Sequence, residues 1–458
     1  MMSRWAHLLV VLTLFVSGVG HAGLASQRMP RKVGDLNSGT DGSFPEHLVA
    51  LNGTLLLTAN DGATGRELWR SNGPSATRLE DIAPGSADTF PLELVQVGGQ
   101  MFFAVDDDVH GRELWVSPAS VAGATLVKDI KPGPDSSSPT ELFELQGKLF
   151  FAADDGVNGR ELWTSDGTES GTHVVADIRP GPVGSFPREL TRLNNEFVFA
   201  ADDGVSGNEL WRSDGTAAGT LLVVDIDPGP NDSFPNGLKL LLGELLFAAD
   251  DGVNGEELWR TNGTEAGSAL VADANPGPGG SSPRHLVGMG NELFFAADDG
   301  ATGRELWKTD GSEAGTYLVA DILPGAKGSS PHEFAIRAGT LFFAADDGVH
   351  GEELWRSDGS PAGTDLVADI DPGPNDSFPK SLMSLPTTLL FTADDGVHGR
   401  ELWKTDGGAA GTVLIKDIRP GLPSSSPGNL VNINGRPFFA ATDDLGGREL
   451  WTIPRLGR

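Results

Sequence analysis

The 458-residue chain contains no cysteine. That absence removes disulfides, thiolate metal sites, a cysteine nucleophile and a lipid-anchored N-terminal cysteine. Tyrosine occurs once, at Tyr317, and aromatic residues make up only 7% of the chain. Basic residues are scarce: 33 Lys and Arg stand against 64 Asp and Glu, a formal net charge of −31. Such a surface repels phosphate backbones and anionic headgroups, so nucleic acid is excluded as a partner. What remains is a well-solvated exterior, or one that gathers cations. Beyond the N-terminus no run is apolar enough to cross a membrane as a helix.

The opening "MMSRWAHLLVVLTLFVSGVGHAGLAS" places one basic residue, Arg4, before an apolar run from Leu8 to Val19, followed by small residues. This is the layout of a secretory signal peptide, with cleavage expected after Ala22 or Ala25. The run is shorter than the ~20 residues of a spanning helix, which disfavours an uncleaved anchor. Loss of residues 1–22 removes Arg4 and no acid, leaving 64 acids against 32 Lys and Arg. The expected organisation is a signal peptide at 1–22, a short linker at 23–32 and one repeat domain at 33–458. The mature protein is expected outside the cell, secreted or at the outer surface.

Glycine and proline are abundant, at 62 and 30, and mark a turn-rich chain. They recur with a period. The tripeptide "ELW" ends at Trp69, Trp115, Trp163, Trp211, Trp259, Trp307, Trp355, Trp403 and Trp451. One unit, from Ser185, reads "SFPRELTRLNNEFVFAADDGVSGNELWRSDGTAAGTLLVVDIDPGP". Four short strands are expected in it: "ELTRLN", "EFVFAAD", "ELWRS" and "LLVVDI", separated by turn residues. The "NN" after the first suits a tight hairpin turn. Four strands in just under fifty residues are the signature of a β-propeller blade. Runs such as "LFFAA" are apolar on both faces, as sheets packed between sheets require. A β-solenoid has shorter coils, and a helical array is interrupted by Gly, Pro and β-branched residues.

The fold class expected is therefore all-β, a propeller of about nine four-stranded blades. The segment "KVGDLNSGTDGSFP" matches a fourth strand and its connection, whereas "RELWTIPRLGR" stops after a third strand. Val33 to Leu36 can thus supply the outer strand of the last blade and close the ring without an open edge. Nine exceeds the usual 4–8 blades, so a degenerate first unit is the alternative.

Units reading "ELWRSDGTAAGT…VVDIDPG…SFP" resemble the ELWxxDGT repeat family of secreted or surface bacterial proteins. The likeness spans residues 33–451, with "ELW" intact in all nine copies and "DGT" replaced by "NGP" at Asn72–Pro74 and by "DGS" at Asp310–Ser312. The resemblance implies an extracellular repeat protein with a propeller fold, and it implies no reaction.

Alternation of strand direction gathers the "DDGxxG" loops and the "DIxPGPxxSxP" connections on one face. Two readings apply to their carboxylates. In the first, the sets Asp154, Asp155 and Glu161; Asp202, Asp203 and Glu209; Asp250, Asp251 and Glu257; Asp298, Asp299 and Glu305; Asp346, Asp347 and Glu353; and Asp394, Asp395 and Glu401 hold calcium. They offer hard oxygen ligands beside glycines that let a carbonyl turn inward. The spacing is not that of an EF-hand loop. In the second, the aspartates accept loop N–H groups, the glycines supply positive φ, and the glutamate ties adjacent blades through a backbone amide or the Arg before it. The second reading is favoured. Calcium is the one cofactor the composition would accommodate.

Repetition argues against catalysis, because an active site needs one asymmetric constellation. No "GxSxG", phosphate-loop or "HExxH" motif occurs. The nine tryptophans read as inter-blade packing rather than as platforms for sugars. Individuality lies just after each connection proline, where His47, Arg188, Arg284, His285, His332 and Lys380 ring the expected channel mouth. The protein is thus expected to be a binding module for an extracellular protein or glycan and not an enzyme. The alternatives are a polysaccharide hydrolase or lyase acting at the channel, and a structural envelope component.

Overall fold

Blade 3 shows how the unit folds. Its strands run Thr140–Leu145, Lys148–Asp154, Arg160–Ser165 and His173–Ala176, each antiparallel to the next. The second strand is buried along nearly its whole length, because "LFFAA" faces a neighbouring sheet on both sides. Its end pairs Phe151 with Trp163 and Ala153 with Glu161. The computed structural model describes residues 29–454 apart from 39, 80–81, 84–87, 119–122 and 446. The expected signal peptide lies outside the described residues.

Nine such four-stranded antiparallel sheets form a β-propeller. The first strands of successive blades touch around the whole ring, first against ninth included, so they line the axis and the fourth strands lie outermost. The ninth sheet takes three strands from the end of the chain and its outer strand, Arg31–Lys32, from the beginning. The closing strand therefore precedes the expected Val33–Leu36. Val33 still donates to Leu450 O at 2.8 Å, but by Leu36 the chain has turned into the connection and its N–H meets Glu449 Oε2.

Side chains of neighbouring blades interlock in nine hydrophobic clusters. Trp163 of blade 3 sits among Phe102 and Leu114 of blade 2 and Leu149 and Phe151 of its own blade. Trp403 packs likewise on Phe342 and Leu354 of the preceding blade. The tryptophans are thus the mortar between sheets. No helix among the described residues is long and apolar enough to cross a membrane.

Candidate functional site

The glutamate of "ELW" is fully buried in every blade, between 0% and 1% exposed. Sequence alternation turns it away from the aspartates before it and toward the connection that leaves its blade. Glu161 Oε2 accepts from Ile178 N–H at 2.9 Å and from Ser185 Oγ at 2.6 Å. Its Oε1 accepts from Ser185 N–H at 2.9 Å and Arg179 N–H at 3.2 Å. Ser185 O in turn accepts from Asp202 N–H in the next blade at 2.9 Å. One carboxylate thereby pins the connection to one blade, and the serine hands it to the other. The arrangement repeats at Glu113, Glu209, Glu257, Glu305, Glu401 and Glu449. Burial pushes these carboxyls up: Glu113, Glu209 and Glu353 are raised to about 7, against the opposing pull of their amide and serine donors.

The two aspartates fold over their own loop instead. Asp154 Oδ1 accepts from Gly156 N–H at 2.7 Å, and Asp155 Oδ1 from Val157 and Asn158 N–H at 2.8 and 2.7 Å. Where the loop carries histidine, as at His350, the imidazole Nδ1 lies 2.8 Å from Asp347 Oδ2. The glutamate is not brought to the aspartates, and no group of three metal-ligating side chains exists among the described residues. The donor sets Asp154/Asp155/Glu161, Asp202/Asp203/Glu209 and their copies do not fit a shared cation. Excess EDTA, or added calcium, is accordingly expected to leave the melting temperature of the mature protein unchanged, as read by calorimetry.

The arginine before "ELW" does not pair with that glutamate either. It clamps the backbone of the incoming connection: Arg66 to Phe44 O, Arg112 to Phe90 O and Arg400 to Phe378 O, at 2.7–2.8 Å. Three blades lack it, and there the missing charge or hydrogen bond comes from the first strand. Arg188 meets Asn208 at 2.7 Å. Glu256 is bound by Asn236 at 2.8 Å and by Arg284 of the next blade at 2.6 Å. His332 Nε2 lies 3.4 Å from Glu352 Oε1, an ion-pair separation rather than a tight hydrogen bond. This exchange was readable in the sequence, since the repeats that lose the arginine gain Arg188, Asn236 or His332. At Glu256 the carboxylate is charge-paired by Arg284.

At the channel mouth the second residue of each first strand has positive φ and forms a bulge: His47, Glu93, Glu141, Glu189, Gly237, His285, Glu333, Ser381 and Asn429. Side chains reach the next blade, with Glu141 Oε2 accepting from Glu189 N–H and Glu333 Oε2 from Ser381 N–H, both at 2.8 Å. Of the six expected mouth residues, Arg284, His285 and His332 share one field. Burial lowers His285, and His332, Arg304 and Arg284 lower it further. The Glu352 carboxylate 3.4 Å away raises His332 despite burial. Arg188 stands apart in blade 4, and His47 lies in blade 1 with Nδ1 3.4 Å from Thr58 Oγ1. Lys380 opens the first strand of blade 8, paired with Thr392.

Sequence reasoning missed a further element of this face. The residue before each connection proline has φ between 44° and 52° in all nine connections, and in five of them it is a phenylalanine. The residue before a proline is ordinarily extended, so nothing in the motif announced it.

The fold and mouth define a nine-bladed β-propeller with a polar, blade-specific channel entrance. No protein-family model and no curated protein matches the chain. Among solved structures it is similar to a puromycin hydrolase in mutant complex, at 15% identity and TM-score 0.41, over 86% of this chain and 58% of that one. A second puromycin hydrolase structure is similar at 14% and 0.41, over 89% and 59%. An analysis of two prolyl endopeptidases gives 14% and 0.42, over 77% and 54%. The chain spans less than two thirds of the length of each. The expectation that the protein is not an enzyme is corrected here. The ninefold uniformity behind that expectation breaks down at the mouth, where Asn236, Glu256, Arg284, His285, His332 and Glu352 differ from their counterparts in other blades. A likeness this distant carries no activity onto this chain.

Proposed function

We propose that the protein is an exported recognition module that holds an extracellular protein or glycan at the loop face, around the mouth of its channel. One observation carries this reading: among the described residues, Asn236, Glu256, Arg284, His285, His332 and Glu352 build at the mouth a network that the other blades do not repeat. Blade-specific polar side chains gathered where the first strands meet around the axis are what a ligand site requires. Affinity capture from the host's envelope and polysaccharide fractions tests it, with and without calcium. The wild-type protein is expected to retain a ligand in both conditions, and the Arg284→Ala/His332→Ala variant to retain at least roughly tenfold less. Equal retention by the two proteins would overturn the assignment of the mouth.

A second reading is hydrolysis or elimination on an extracellular polysaccharide at the same mouth. It is favoured by two histidines of adjacent blades moved in opposite directions, His285 down and His332 up. Environments that push paired titratable groups apart are the mark of acid–base chemistry. Release of reducing ends or unsaturated products by the wild type, lost in His285→Ala, would support it.

A further inference from the structure

The nine pre-proline positions form an internal control. All share one strained backbone conformation, yet Ser138, Ser282, Ser330 and Ser426 occupy four of them and Phe44, Phe90, Phe186, Phe234 and Phe378 the other five. Serine satisfies the architecture, so the fold does not ask for a phenyl ring. A bulky residue at positive φ is unusual and costs strain. The rings gain little burial in return, because they remain 42–51% exposed. Two are backed by guanidinium groups: Arg66 lies 5.9 Å from the centroid of Phe90, and Arg188 lies 5.5 Å from that of Phe234. The phenylalanines introduce blades 1, 2, 4, 5 and 8, so two pairs stand in neighbouring blades.

We infer that these phenylalanines are stacking platforms for the sugar rings of a neutral polysaccharide. The inference rests on the loop face being a ligand surface and names its ligand. A sugar ring presents an apolar C–H face, which an aromatic ring covers, and a hydroxyl rim, which needs polar groups alongside. The loop face supplies both, with Arg66 beside the ring of Phe90 and Arg188 beside that of Phe234. A protein partner would need a contiguous apolar core, whereas these rings stand singly at five of the nine blades, two of them against guanidinium groups. A polyanion is opposed by the net charge of −31. A polymer of small repeating amphipathic units fits the paired rings of neighbouring blades 1 and 2 and of blades 4 and 5.

Affinity electrophoresis of the mature protein through laminarin, dextran or hydroxyethylcellulose tests this, with polygalacturonate as the anionic comparison. At least one neutral polymer is expected to retard the wild type. Phe44→Ser/Phe90→Ser and Phe186→Ser/Phe234→Ser are each expected to weaken that binding roughly tenfold, as loss of good stacking contacts does. Their melting temperatures should match the wild type, since serine already serves at four equivalent positions. Unchanged binding by both variants overturns the inference, as does failure of every neutral polymer to retard the protein. Stronger retardation by polygalacturonate, or capture of an envelope protein through the same phenylalanines, overturns it too. If the Arg284→Ala/His332→Ala variant loses its ligand while the serine variants keep it, this inference fails and the mouth remains the binding site.

Discussion

Glu209→Ala is expected to destabilise the protein by about 3–5 kcal/mol, the loss typical of removing one partner from a buried charged network. The side chain is 0% exposed and accepts from Ile226 N–H at 2.9 Å, Ser233 N–H at 3.1 Å and Ser233 Oγ at 2.6 Å, with Asp227 N–H further off at 3.4 Å. Alanine leaves these donors buried and unpaired, at a cost of ~1–3 kcal/mol for each unsatisfied group. Glu209→Gln keeps one acceptor oxygen and should lose about 1–2 kcal/mol. Asp203→Asn, in the exposed loop, preserves the oxygen that receives Val205 and Ser206 N–H and should shift stability by less than about 1 kcal/mol. Hydrogen exchange of residues 225–234 and denaturant midpoints read these differences. Equal, small effects of Glu209→Ala and Asp203→Asn would refute the structural role assigned to the glutamate.

Melting temperature is expected to rise by several degrees as pH falls from about 8 to about 5. Glu113, Glu209 and Glu353 have folded pKa values of about 7 against an ordinary value of 4.5, because burial penalises the charged form. Glu161, Glu257, Glu305, Glu401 and Glu449 are raised for the same reason. A group raised on folding binds its proton more tightly in the native state. Its stabilisation is fully present below about pH 4.5 and is lost as pH rises through about 7. His110, His350 and His398, raised by hydrogen bonds to Asp107, Asp347 and Asp395, act in the same direction. Asp107, Asp347 and Asp395 are lowered in spite of burial, so their contribution is present above the ordinary value of 3.8 and vanishes in stronger acid. The optimum should therefore lie between about pH 4 and 6. Relief of surface repulsion has the same sign but is screened by salt, whereas the buried carboxyls are not. Calorimetry in about 0.5 M salt isolates them. A melting temperature that is flat or rises toward pH 8 would contradict this assignment.

Much of the architecture is legible because it is repeated. The second strand expected at "EFVFAAD" is observed as Glu196–Asp202, since an unbroken apolar run bounded by turn residues admits one solution. The fourth, expected through Ile226, ends at Val224 because Ile226 N–H turns to Glu209. That contact joins residues seventeen apart and no local periodicity encodes it. The glutamate's partnership with a serine 24 residues onward is equally silent in the motif, which is why a calcium set and a turn set looked alike. Arg284 and His332 lie near enough to His285 to lower it, a proximity across blades that no local motif encodes. The phenylalanines escaped because "SFP" and "SSP" read as the same connection, and only the backbone reveals that one carries an unneeded exposed ring.

The central claim is that repeated carboxylates build the ring while unrepeated mouth residues select the ligand. The most direct measurement is a binding isotherm for the envelope polysaccharide fraction, taken with wild type, Asp203→Asn and Arg284→Ala/His332→Ala. Wild type and Asp203→Asn should bind alike, with the mouth variant weaker by at least roughly tenfold. Loss of binding in Asp203→Asn with the mouth variant unaffected would contradict the claim.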